Sequence, residues 1–159
     1  MKESAEILLE KAGRNLKVAE SNLSMGDPDF IEDICYNCQQ AVEKYLKAFI
    51  AYNNKEYKKN HDLGELLENC ETIDPSFSEL DKYKFNFNTL TDYAVDLRYE
   101  ALMPSMEDAK EAVFIAEQVK PFVIEIINIK RKQDQKSNCM EPDDFTKDLQ
   151  NKQENKIKR

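Results

Sequence analysis

A chain of 159 residues is long enough to bury roughly 70% of its unfolded surface in one core, so size alone demands neither disulfides nor a structural metal. Three glycines and five prolines make about 5% of the chain against roughly 12% in average usage, which disfavours turn-rich sandwiches and barrels and favours an all-α fold. The formal net charge of −8 excludes a general attraction to nucleic acid or anionic lipid.

That charge is unevenly spread. Residues 1–129 carry 14 basic and 25 acidic side chains, a net of −11, whereas residues 130–159 carry 9 and 6, a net of +3. The first fifteen residues mix both signs and hold no signal-type apolar stretch, so a cytoplasmic location is expected. The most apolar stretch, Phe122 to Ile129, is interrupted by Glu125 and is far short of the roughly 20 residues that span a bilayer. No membrane partner is expected. Four cysteines, Cys35, Cys38, Cys70 and Cys139, read as reduced thiols in that setting.

Five helical segments follow in chain order. The first is expected to start at Ser4 as an N-cap and carries Ala5, Leu8, Leu9, Ala12, Leu16, Ala19 and Leu23 on one stripe. Asp27 can cap the second and Pro28 can take its first position, ahead of Ile31, Ile34, Cys35, Cys38, Ala41, Val42, Tyr45, Leu46 and Phe49 at helical spacing. A shorter third helix begins near Asp62 and turns Leu63, Leu66, Leu67 and Cys70 inward, with Pro75 beyond its end. The aromatic and polar alternation of YKFNFN from Tyr83 leads into a fourth helix holding Leu90, Ala94 and Leu97. The last starts at Ser105, with Asp108 three residues on in a capping-box arrangement, and Pro121 is expected to kink it. From Gln133 the sequence is too polar to build a core and reads as a disordered tail. The domain boundaries are therefore 1–132 for an up-and-down antiparallel bundle of about five helices and 133–159 for the tail.

The stretch Gln39 to Ile50 carries the most chemistry. On a wheel at about 100° per residue, Gln40, Glu43, Lys44 and Lys47 share one face opposite the apolar stripe. That face reads either as a solvated surface with an i, i+4 Glu43–Lys47 pair or as a recognition face. The Cys35 and Cys38 pair falls mid-helix on the apolar stripe, where thiols pack rather than bind zinc or exchange electrons. No metal or cofactor is expected.

The segments QAVEKYLKA on the second helix, HDLGELL at His61 to Leu67, DLRY at Asp96 to Tyr99 and the alanine-rich DAKEAVFIAEQV occur in an order that resembles the HEPN family (higher eukaryotes and prokaryotes nucleotide-binding domain). The resemblance covers residues 4 to about 130. It implies a helical bundle that commonly forms a homodimer, a nucleotide- or partner-binding function, and a separate minimal nucleotidyltransferase as partner in a toxin–antitoxin type system. Ligand-binding residues implied on that basis are Gln40, Glu43, Lys44, Lys47, Arg98 and Tyr99, with a nucleotide or RNA phosphate as the ligand.

Catalytic members of the family are metal-independent ribonucleases in which four to six residues separate an Arg from the His that follows it. Counting from Arg98, those positions hold Met103, Pro104 and Ser105, so the usual pair is incomplete and a non-catalytic module is the first expectation. Arg98 reads as a loop-fixing partner of Asp96 or Glu100, or as a phosphate ligand. His61 reads as a helix-start and loop anchor beside Asp62, or as the base that would serve Arg98 in an atypical ribonuclease. A ligand-free assembly subunit is the third alternative.

Overall fold

The computed structural model describes the backbone of residues 2–95 and 103–157, and side chains over residues 4–94 and 103–139. Among these residues the chain is all-α, with helices α1 (Lys2–Met25), α2 (Ile31–Tyr52), α3 (Leu63–Ile73), α4 (Lys84–Val95) and α5 (Met106–Ile157). Two 3-10 segments, Pro28–Phe30 and Pro75–Tyr83, lead into α2 and α4. The chain divides into two units, Met1–Val123 and Ile124–Arg159, and the helical bundle is the first.

Local sequence explains most boundaries. The Asp27 side chain accepts from the Asp29 backbone N–H at 2.9 Å, so the expected cap and Pro28 start a 3-10 turn before α2 begins. Asp62 caps α3 through the Glu65 N–H at 3.1 Å. The capping box at Ser105 is complete: Asp108 Oδ2 accepts from the Ser105 N–H at 2.8 Å, and the Asp108 N–H donates to Ser105 Oγ at 3.2 Å. Gly26 closes α1 with φ +67° and open space around its Cα, so glycine is needed there for its backbone alone. Ser4, in contrast, is no cap, because α1 is already helical from Lys2.

The core centres on α2, which has no exposed residue from 38 to 52. Ala5, Ala12 and Ala19 are fully buried at seven-residue spacing on α1, and such small side chains let two helix axes approach closely. α2 packs against α1, α3 and α4. Phe77 in the second 3-10 segment stands 4.3 Å from the Phe49 ring and 5.1 Å, edge-on, from the Phe122 ring. Aromatic pairs of this kind add about 0.5 to 1.5 kcal/mol each beyond area burial.

Cys35, Cys38 and Cys70 are fully buried, as the apolar-stripe reading requires. Burial pushes the Cys35 thiol up to about 12 and the Cys38 and Cys70 thiols upward as well, which removes the thiolate that redox or metal chemistry would need.

The backbone of α5 is helical through residue 157, and residues 132–139 are all exposed, as a polar segment that builds no core requires. No described helix is long and apolar enough to cross a membrane.

Candidate functional site

The polar residues of α2 converge on one carboxylate. Glu43 is only 5% exposed, and an isolated carboxylate at that depth would be costly. Three donors meet it: Lys47 Nζ at 2.5 Å on Oε1, with Gln39 Nε2 at 2.8 Å and His61 Nδ1 at 2.9 Å on Oε2. Burial pushes the Glu43 carboxyl up, but the hydrogen bonds from Lys47, His61 and Gln39 together outweigh it and hold the group below the usual carboxylate range. Glu43 therefore carries its negative charge at neutral pH.

The network reaches two further elements. Gln40 Nε2 donates to Gln39 Oε1 at 2.6 Å, and Lys44 Nζ donates to Asn15 Oδ1 on α1 at 2.6 Å. Asn15 in turn donates to Asn37 Oδ1 at 2.9 Å, and Asn37 donates to the Asp33 carbonyl at 2.8 Å. Lys47 also lies over the Tyr57 ring, 5.2 Å from its centroid, a cation–π arrangement.

The face opposite the apolar stripe is only partly solvated. The Glu43–Lys47 pair exists, yet the Lys47 side chain is only 13% exposed, because the α2–α3 loop folds back with Tyr57 and His61 over α2 while α1 supplies Asn15. Lys44 shows the electrostatic result. Burial lowers its ammonium below the ordinary lysine value, Glu43 opposes this, and the like charges of Lys11 and Lys47 lower it further. The charges that act on it are thus one anion, Glu43, and two cations, Lys11 and Lys47.

His61 keeps the loop-anchor part of its sequence reading and loses the capping part, while its reading as a base for Arg98 falls on a residue outside the described ones. Asp62, not His61, caps α3; the imidazole anchors the loop by bonding to Glu43, and its side chain stays 55% exposed. Because an ionised carboxylate only accepts, Nδ1 must carry the proton in this bond, which leaves Nε2 on the far side of the ring. Gly64 keeps this corner tight, since a Cβ there would stand 3.2 Å from Asp62 Oδ1.

Of the residues singled out from sequence, Gln40, Glu43, Lys44, Lys47 and His61 are brought together, while Arg98 and Tyr99 lie outside the described residues. Gln39, Asn15 and Tyr57 were not legible as members. The i, i+4 spacing of Gln39 to Glu43 and the aromatic set among lysines in KEYKK were the available signals.

The HEPN domain family matches residues 5–127. The crystal structure of an archaeal HEPN homologue is similar in fold, with a TM-score of 0.60 and 24% identity over 77% of this chain and 97% of that chain. No curated protein matches the chain.

Proposed function

The chain belongs to the HEPN domain family, and from that premise we propose that it is a nucleotide-binding module whose phosphate site is the Lys44, Lys47 and His61 edge of α2. The observation that carries this reading is the threefold bonding of Glu43. One buried carboxylate fixes Lys47 and His61 together, and Lys44 stands beside them with an ammonium disfavoured by its surroundings. A bound phosphate would accept from these donors and relieve the repulsion among Lys11, Lys44 and Lys47. Gln40 adds a neutral donor, and Arg98 and Tyr99 join the proposal on the sequence resemblance. The same resemblance extends it to a homodimer acting with a separate minimal nucleotidyltransferase in a toxin–antitoxin type system.

Titration of a fluorescent ATP analogue at low salt, followed by anisotropy, tests the site. Saturable binding is expected, weakened about tenfold in Lys44→Ala combined with Lys47→Ala, on the scale of one charge-assisted hydrogen bond lost. Binding that is absent, or unchanged in a variant whose helical circular dichroism is intact, would overturn the proposal.

A second reading has one specific observation in its favour. His61 is held at Nδ1 by Glu43 with the ring half exposed, the orientation an acid–base imidazole needs. With Arg98 supplying positive charge, this is the atypical ribonuclease. A cleavage assay on single-stranded RNA in EDTA, scored for 2′,3′-cyclic phosphate ends, separates the two. No cleavage attributable to the protein is expected; cleavage lost in both His61→Ala and Arg98→Ala would establish the ribonuclease.

A further inference from the structure

Away from the Glu43 site, α4 and the first turns of α5 enclose a cavity of about 180 Å³. Phe85, Asn86, Leu90 and Tyr93 form its α4 wall, and Asp108 and Glu111 bring two carboxylates from α5. No lysine, arginine or histidine lines it among the described residues. The donors that reach the carboxylates are neutral: Asn86 Nδ2 at 2.5 Å from Glu111 Oε1, and the Ser105 N–H and hydroxyl at 2.8 and 2.9 Å from Asp108 Oδ2. The Tyr93 hydroxyl is engaged with the Cys35 thiol. Both carboxylates therefore line the cavity without a cationic partner among the described residues.

Size and rim narrow the occupant. Whole small-molecule ligands fill pockets of roughly 300 to 1,000 Å³, so this cavity suits one long side chain. Phe85 is 80% exposed at its edge. Phe114, 52% exposed, lies one turn beyond Glu111 with its ring 6.5 Å from that of Tyr83. Phe85 lines the cavity and Phe114 stands one helical turn from Glu111, so exposed aromatic surface of the kind enriched at protein interfaces borders both ends of the carboxylate pair. Guanidinium fits better than ammonium, because its planar fork pairs with carboxylates and stacks on aromatic faces. The net −11 of residues 1–129 would steer a basic partner toward this domain.

We propose that the α4–α5 cavity is a docking socket for an arginine side chain of a partner protein. The guanidinium lies between Asp108 and Glu111, and the residues flanking the arginine rest on Phe85 and Phe114. The inference stands independently of the phosphate site.

Nuclear magnetic resonance titration of the full chain with the peptide acetyl-Leu-Arg-Leu-amide tests it. Saturable shifts at Asn86, Thr89 and Glu111 are expected. Replacing the arginine by citrulline, its uncharged isostere, should weaken binding about tenfold, and acetyl-arginine-amide without the leucines about fivefold. Glu111→Gln and the surface variant Phe85→Ala should each weaken the peptide several-fold while leaving the remaining spectrum in place. Absence of saturable shifts at these residues overturns the proposal, as does equal affinity for the citrulline peptide. Equal affinity for acetyl-arginine-amide would reduce the socket to a site for free cations and overturn docking. Shifts at Asn86 and Thr89 produced by Arg98→Gln without any peptide would assign the cavity to the chain's own arginine. Self-association abolished by Glu111→Gln would assign it to a second copy. Either result overturns the partner-protein reading.

Discussion

Glu43 on α2 and Glu111 on α5 each accept a hydrogen bond from an amide side chain, Gln39 at 2.8 Å and Asn86 at 2.5 Å, but only Glu43 is also met by a lysine and an imidazole. Burial accounts for the difference. Glu43 is almost wholly enclosed, and the folded chain can keep it ionised there only by bringing Lys47 and His61 within bonding distance. Glu111 is solvent-exposed, so water screens its charge and no cation from the described chain has to follow it. The same residue type is thus an internal tie in one region and an unspent charge in the other.

Removing the tie should produce the largest effect. Glu43→Ala leaves the Lys47 ammonium and the Gln39 amide without their acceptor, and a loss of about 3 kcal/mol is expected for orphaned, mostly buried donors. In a domain of this size that corresponds to a fall in Tm of roughly 9 °C. Denaturant unfolding of wild type and variant measures it, and a loss under about 1 kcal/mol would show that Glu43 is not the tie described.

Acid titration sharpens the same contrast. The folded Glu43 carboxyl sits below its ordinary value, so the protonated form is the one the native state disfavours. Its contribution is fully present above the unfolded-state carboxylate pKa of about 4.3 and is lost as pH falls through the lower folded value. The stability gap between wild type and Glu43→Gln should therefore be constant from neutral pH down to about 5 and close below about 4. A gap that widens with acid would contradict the assigned partners.

Glu111→Gln should change the unfolding free energy by less than about 0.5 kcal/mol, as for an exposed carboxylate whose partner is neutral. An effect as large as that of Glu43→Ala would erase the distinction between the two regions. Smaller still is the expected effect of deleting residues 134–159. The exposed run 132–139 contributes little apolar burial, so Tm should move by less than about 2 °C, the response to well under 1 kcal/mol.

How much of this was readable from sequence depends on range. Three helix starts were legible because they obey local rules, with Asp62 at the α3 N-cap, Ser105 and Asp108 in a capping box and Pro28 opening the turn before α2, whereas the Ser4 cap expected for α1 is not there. The buried thiols were legible because Cys35 and Cys38 share a stripe with Ile34 and Val42. What periodicity cannot reveal is which remote segment lands on a polar face. Eighteen residues separate His61 from Glu43, and 29 separate Lys44 from Asn15, so a face that the wheel assigns to water is covered by a loop and a neighbouring helix. The cavity had even less signature. It depends on Asn86 and Glu111 meeting across 25 residues, a pairing that neither YKFNFN nor DAKEAVFIAEQV announces by its spacing.

The enclosure of α2 has a kinetic consequence. A helix without an exposed position from 38 to 52 cannot be finished by one docking event: α1 must cover one side, α3 and α4 others, and the loop through His61 the last. Until that loop arrives, Glu43 stands beside water rather than an imidazole, so loop opening and wetting of the central helix are a single fluctuation. Native-state hydrogen exchange should show the amides around Tyr57 to His61 and the Gln39 to Lys47 side-chain network opening in one cooperative step. Independent opening of the two would mean that the loop merely rests on the helix. As built, the least regular segment of the bundle controls when its innermost charge meets solvent.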